Sequence, residues 1–348
     1  MVAELHGVQR YCPKADNTRR KARELLAELV RDRDAGLDPR KVRLGDYLRR
    51  WLNDVRPHLA PATWRKHESI IRVHLSADGR LGAIPLSRLG VADVRAYLGR
   101  GNRHPQTLRH HRATLRRALA DAVRDGLVTK NVAALAEAPR MTRKERPFLT
   151  GPQARRLIDG TRDDRLHGLW VVAVTTGLRL AECLGLAWSD VDLDTGVFRV
   201  RYQLARQDGQ WVRVAPKTTK SRRTIPLPAV TVEALKRHRE RQRALIGDGP
   251  VPIDGLVFTT ERGHPIHGPN VLPVLYETLE RLGLPRVRFH DLRHACASML
   301  LKAGWPVERV AMYLGHSTPR VTLEIYAHVK PEDMKEGAAL MERMVGDG

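Results

Sequence analysis

Between residues 197 and 226 the hydrophobic pattern of this chain changes period. Val197, Arg199 and Arg201 alternate with Phe198, Val200, Tyr202 and Leu204; Asp208 and Gly209 mark a turn, WVRV returns, and RRTIPL supplies a third run. Alternation of period two belongs to half-buried strands, and an Asp-Gly pair between two such runs signals a hairpin. On both sides of this stretch, apolar residues recur at spacings of three and four, the helical period. The pattern predicts a mainly α chain with one small antiparallel β-sheet, a three-stranded meander, inside a helical domain: an α+β fold.

Residues 18–35, NTRRKARELLAELVRDRD, place Ala22, Leu25, Leu26, Leu29 and Val30 on one helix face and stop at Ala35 and Gly36. The seventeen residues before them read only as a weak strand or coil. Residues 1–40 are therefore expected to be the remnant of a larger module or a docking helix. Residues 41–137 read as four or more helices, among them LGDYLRRWLNDV, TWRKHESIIRVHL, VADVRAYLGR and QTLRHHRATLRRALADAVRDG, separated by turns containing Pro and Gly. In the last of these, Leu108, Leu115, Leu119 and Ala122 form a core stripe flanked by Arg109, Arg112 and Arg116. With Arg65 and Lys66 on an earlier helix they make a cationic ridge suited to DNA, although a solvated charged face is the plainer account of any one helix. Residues 138–148, APRMTRKERPF, carry two prolines, Arg143 and Lys144, and read as a basic linker. A tether of this kind would let two basic domains close on opposite sides of a duplex as a C-shaped clamp. Limited proteolysis should then nick it in free protein, and DNA should suppress the nick. Residues 149–348 form the second domain, which ends in a tail helix.

Charge narrows the partner. Lys and Arg number 61 against 39 Asp and Glu, a net charge of +22 in 348 residues, so the surface repels itself unless a polyanion binds it. Double-stranded DNA fits that need. No run of about 18 apolar residues exists to span a bilayer, and no basic helix carries a wide apolar face free of core duty, so a membrane partner is not expected. Cys12, Cys183 and Cys296 are odd in number and far apart, and read as reduced thiols of a cytoplasmic protein. The opening MVAELHGVQRYCPK lacks the pattern of an export signal.

Six polar groups have no evident structural reason to be together: Arg179, Lys217, His290, Arg293, His316 and Tyr326. Two arginines, two histidines, a lysine and a tyrosine can bind a phosphodiester and attack it. No carboxylate cluster accompanies them, so metal-assisted phosphoryl chemistry is not the natural reading. His290 and Arg293, three apart in FHDLRHACASMLLKAG, project from one helix face and suit a phosphate's oxygens. The same pair could equally be a structural hydrogen-bonding pair. His290, Asp291 and His294 also spell H-D-x-x-H, near the zinc-hydrolase pattern, but with Asp in place of Glu and a cation, Arg293, beside any metal. His316 lies on a loop signalled by Gly315 to Pro319, where Ser317 or Thr318 could cap the helix bearing Tyr326. Taken alone, a loop histidine or a helical tyrosine is ordinarily structural.

Together, TGLRLAECLGLAWSDVDL, PKTTKSRRTIPL, HDLRHACASMLLKAG, LGHS and IYAHV resemble, in order and spacing, the catalytic domain of the tyrosine recombinase (phage integrase) family. The resemblance is strong over about 147–340 and looser over 43–137, which is similar to the family's helical core-site-binding domain. It implies that Arg179 and Arg293 are the two catalytic arginines, His290 the first motif histidine, and His316 the position held by His or Trp. Lys217 matches the mobile lysine that acts as general acid, with Lys220 three residues on as the alternative; Lys220 and Arg222 are then expected DNA contacts. Tyr326 matches the nucleophile, and Glu182 the acidic residue that buttresses Arg179.

A phenol with an ordinary pKa of about 10 must lose its proton as it attacks, and fixed cations must meet the charge of the phosphorane. The 3′-phosphotyrosine that results stores the bond energy, so the resemblance implies neither metal nor other cofactor. It further implies a homotetramer on two DNA sites, a dimer per site, working with accessory directionality or DNA-bending proteins on a bacterial or phage nucleoid. Met334, Ala338, Leu340, Met341 and Met344 give the tail an apolar face for a neighbouring subunit, although folding back in cis would use the same face. A type IB topoisomerase-like enzyme and a catalytically silent DNA-binding regulator are the alternatives. Arm-binding members carry a three-stranded module ahead of a helix like 18–35, which is why residues 1–40 read as its possible remnant.

Overall fold

The structure, a computed structural model, describes residues 2–5, 8–11, 40–100, 103–141, 147–207, 209–216, 221–246, 255–316, 318, 322 and 323. The expected helix over 18–35, the centre of the basic linker and the tail after 323 lie outside them. The chain divides into two compact units, Met1–Lys144 and Glu145–Gly348.

The first unit opens with an antiparallel pair, β1 (Val2–Leu5) and β2 (Val8–Tyr11), registered Val2 to Tyr11. Among the described residues its α-helices are α1 (Leu44–Asp54), α2 (Pro61–Ile70), α3 (Val91–Leu98), α4 (Pro105–Arg124) and α5 (Val132–Leu135). On α1, Leu44, Tyr47, Leu48, Trp51 and Leu52 are buried, the i, i+3, i+4, i+7, i+8 stripe of a core-facing helix. On α4 the buried stripe includes Leu108, Leu115, Leu119 and Ala122. Burying one such leucine contributes roughly 1.5–3 kcal/mol. Polar tips on this core are satisfied: Tyr47 donates to the Ala118 carbonyl at 2.7 Å, Trp51 Nε1 donates to Asp121 at 2.6 Å, and buried His111 meets the Tyr97 hydroxyl at 2.7 Å.

The second unit is built around α7 (His167–Thr176), which is apolar all round and buried along nearly its whole length. Packed on it are α6 (Gly151–Asp159), α8 (Leu180–Leu184), α9 (Ala229–Ile246) and α11 (Phe289–Lys302); α10 (Val271–Arg281) and α12 (Val307–Leu314) complete the helices described here. The expected meander is corrected: its strands fall in two sheets. β3 (Val191–Asp192), β4 (Val197–Val200) and β7 (Arg223–Pro226) form one, in the order β3-β4-β7, and β5 (Gln203–Gln207) pairs only with β6 (Gln210–Val214). The break comes at Arg201 and Tyr202. Arg201 Nε donates to the buried Asp190 carboxylate at 2.6 Å, Arg213 of β6 pairs with its other oxygen, and Gly185 lets the backbone of Leu204 come close to α8. Both arginines thus meet on one buried carboxylate at the point where the chain passes from one sheet to the other.

Candidate active site

A left-handed glycine ends α7. Gly177, at φ +61°, caps the helix, and a Cβ there would lie 2.3 Å from Leu314 Cδ2. Two residues later Arg179 stands at the N-cap of α8, with Glu182 at the third helical position. Glu182 reaches back as a helix-capping carboxylate, accepting from the Arg179 main-chain N–H at 3.1 Å, and also accepts from Arg179 Nη1 at 2.7 Å. Arg179 keeps 37% of its side chain exposed, whereas Glu182 keeps 2%.

Arg293 is the site's buried cation, 1% exposed. It lies on α11, whose first turn is set by Asp291 accepting from the Arg288 main-chain N–H at 2.8 Å. Its Nη1 donates to the Gly177 carbonyl at 2.6 Å and its Nη2 to the Leu314 carbonyl at 2.7 Å. Arg179 Nη2 donates to the Gly315 carbonyl at 3.2 Å. Gly315, at φ +69°, is the left-handed cap of α12. The two arginines thus bind the ends of two helices at once, Arg293 both of them and Arg179 the second. Burial, then the neighbouring Arg179, pulls the pKa of Arg293 down to about 9, so the guanidinium is still a cation at neutral pH.

His316 follows Gly315. Its Nε2 accepts from Arg293 Nε at 3.3 Å and its Nδ1 faces Thr322 Oγ1 at 2.8 Å. An arginine can only donate, so Nε2 is the bare nitrogen and Nδ1 carries the proton. Burial, Arg293 and Arg179 push the pKa of His316 down to about 3. His290, in the first turn of α11, keeps an exposed face, yet lost hydration, His294 and Arg293 lower it to about 4. Both histidines are neutral at pH 7, and the positive charge belongs to the arginines. Arg293 and His290, three apart on α11, differ in burial, Arg293 being sunk into the unit and His290 lying at its surface.

The H-D-x-x-H pattern takes a different form. Asp291 is engaged by Arg288, whose Nη2 donates to Oδ1 at 2.8 Å and whose Nε donates to Oδ2 at 3.1 Å, while the His290 and His294 rings meet edge-on with centroids 5.0 Å apart. Among the described residues no group of three or more His, Cys, Asp or Glu is placed to hold a metal ion. Cys183 and Cys296 are buried free thiols.

Tyr326, Lys217, Lys220, Arg143 and Lys144 lie outside the described residues. Arg65, Lys66, Arg109, Arg116 and Arg222 are exposed. Arg112 is drawn inward, donating to the carbonyls of Ala136 at 2.6 Å and Ala134 at 3.0 Å, where it closes the end of α5. Sequence reasoning missed Arg223. It is 8% exposed and donates from Nη2 to Glu182 Oε2 at 3.2 Å. Its signal was the period of β7: Arg223 is two residues before buried Ile225, hence on the same, inward face, and it registers with buried Val200 of β4. The neighbouring Arg222, singled out instead, faces outward.

Residues 147–333 match the model of the phage integrase family. The chain is 30% identical over 343 residues to an integrase of Streptomyces ambofaciens, covering 93% of this chain and 87% of that protein. It is 29% identical over 320 residues to a tyrosine recombinase XerC-like protein of Caldanaerobacter subterraneus subsp. tengcongensis, covering 85% and 82%. Its fold is similar to the Tn1549 transposon integrase solved in complex with a circular intermediate DNA, at a TM-score of 0.75 and 23% identity over 88% of this chain and all of that one. It is also similar to the lambda integrase dimer bound to a COC′ core site, at a TM-score of 0.60 and 17% identity over 93% of each.

Proposed function

The chain belongs to the phage integrase family, and from that membership we propose that Tyr326 is the nucleophile of its DNA cleavage reaction. Its activity is site-specific recombination in the integration of mobile elements, by cleaving and rejoining DNA through tyrosine transesterification. The observation that best supports a single phosphate site is the seating of two arginines from distant motifs on the same helix end, that of α12, Arg293 on Leu314 and Arg179 on Gly315.

In the proposed reaction the scissile phosphate lies against Arg179, Arg293 and His290. The Tyr326 hydroxyl attacks phosphorus and loses its proton, and the arginines, already cationic and held by main-chain oxygens, meet the charge of the phosphorane without reorganising. His316, neutral with its bare Nε2 toward Arg293, fixes the plane of that guanidinium. Lys217, or Lys220 in its place, protonates the leaving 5′ oxygen. A 3′-phosphotyrosine results, and attack by a 5′ hydroxyl reverses the steps to rejoin the strand.

DNA is the partner that the net charge of +22 favours, and the two fold neighbours were both solved bound to DNA. We assign residues 41–137 to core-site binding, with Arg65, Lys66, Arg109 and Arg116 on the phosphates and Arg112 holding α5 in place, and residues 149–348 to catalysis. The working assembly is a homotetramer on two duplexes, assisted by accessory proteins, on the nucleoid. No helix among the described residues is long and apolar enough to cross a membrane.

A pool of nicked duplexes with randomised cores tests the reaction. Wild type should become covalently linked at a 3′ phosphate, and sequencing the linked DNA yields its core site; Tyr326→Phe should form no adduct. Linkage through any other residue sinks the assignment, and loss of activity in a chelator would revive the zinc reading.

A further inference from the structure

The guanidinium of Arg223 joins three segments. Its Nε donates to the Tyr313 carbonyl at 2.8 Å, its Nη1 to the Ser221 carbonyl at 2.9 Å and its Nη2 to Glu182 Oε2 at 3.2 Å. Each segment leads to a group assigned above. Glu182 holds Arg179, Tyr313 stands three residues before His316, and Ser221 directly follows the 217–220 stretch that contains Lys217. The turn at Gly315 rests on the same side chain, since a Cβ there would lie 2.8 Å from Arg223 Nη1.

Charge explains why a second arginine belongs beside Glu182. Paired with Arg179 alone, this buried carboxylate would cancel the cation that faces the phosphate. Shared between two guanidiniums, it leaves one positive charge in excess while still fixing Arg179 in place. Arg223 gives its guanidinium to three acceptors of the protein itself.

We propose that Arg223 is a positioning residue for strand cleavage: by sharing Glu182 and clasping the carbonyls of Tyr313 and Ser221, it holds Arg179 and the His316 turn ready for the phosphate without touching DNA. This rests on the site reading given above. One further observation agrees with it. Burial acts to raise the Glu182 pKa, but Arg223 and then Arg179 outweigh burial and hold the carboxyl below its ordinary value. Losing Arg223 therefore lets protonation of Glu182 intrude at higher pH.

The test uses full-length protein and a nicked duplex recovered by wild type from the randomised pool. Arg223→Met should bind that duplex as wild type does, form the Tyr326 adduct about 100-fold more slowly, as expected for misplaced reacting groups, and show an acid limb of its pH–rate profile moved to higher pH. Arg223→Lys, which keeps a cation beside Glu182, should return the acid limb towards its wild-type position. Adding Arg223→Met to Glu182→Gln should slow the reaction by a smaller factor than Arg223→Met slows wild type, since only the hold on the Tyr313 and Ser221 carbonyls is then lost. The proposal fails if Arg223→Met is slow with an unmoved acid limb, or if it slows Glu182→Gln by the same factor as it slows wild type. Should Arg223→Met not fold, Glu182→Gln decides: an acid limb unchanged in that variant overturns the proposal. A normal wild-type adduct with Arg223→Met at full rate overturns this proposal alone. Absence of a wild-type adduct, or an adduct surviving Tyr326→Phe, overturns the site reading and this proposal with it.

Discussion

Arg293 can hold its place only because Gly177 ends α7 in a left-handed turn. An alanine at Gly177 carries the cost of that backbone, about 1–2 kcal/mol, and drives a methyl group against Leu314. Gly177→Ala should therefore lower the urea midpoint and, by moving the carbonyl under Arg293, slow adduct formation; an unchanged midpoint would contradict the packing described. Arg293→Lys replaces a planar fork by one ammonium that cannot serve Gly177, Leu314 and His316 together. Adduct formation should drop by about 100-fold or more, while DNA affinity, measured in parallel, changes little. Arg179, Arg293, His290 and His316 were singled out because the motifs that hold them resemble those of a known family, and the fold then brings Arg179, Arg293 and His316 together at the end of α12. The protonation of His316 was not legible, because it depends on Arg293, which comes from a different helix. Arg223 was half legible, since strand period places it inward but only the fold supplies Glu182 as its partner.

At the scale of elements, helices among the described residues were legible where they carry their own apolar stripe, as on α1 and α4. The split of the sheet was not. Period two runs unbroken through Arg201 and Tyr202, and where the pairing changes Arg201 is held by Asp190, eleven residues upstream. Asp190→Asn leaves Arg213 largely buried without its counter-charge and should cost about 3 kcal/mol, read as a lowered denaturation midpoint for the catalytic unit. If the midpoint does not move, the ion pair does not stabilise the unit. In the helical unit, Asn131 caps α5 by accepting from Ala134 N–H at 3.0 Å. Asn131→Ala should destabilise that unit by about 1 kcal/mol, a loss visible by thermal melting.

Across the whole molecule, charge and buried histidines set the response to solution conditions. DNA affinity should fall steeply with salt, and Lys66→Ala should reduce the slope of log affinity against log salt by about one for every sequence tried; an unaltered slope removes Lys66 from the interface. Burial, more than any neighbour, holds His111 and His167 at about 4, against an ordinary value of 6.5. Below pH 6.5 the unfolded chain takes up protons at these positions and the folded chain does not until about pH 4. Stability is therefore full above pH 6.5 and declines between 6.5 and 4, by about 1.4 kcal/mol per pH unit for each such histidine. Urea midpoints that stay level from pH 7 to pH 5 would refute this. The seats of Arg179 and Arg293 have a longer consequence. Apart from Glu182 beneath Arg179, they are made from the oxygens of Gly177, Leu314 and Gly315, and no point mutation can delete a main-chain oxygen. Descendants of this chain can rewrite the side chains lining these turns and still inherit these main-chain seats for the two arginines, provided two glycines keep bending the same way.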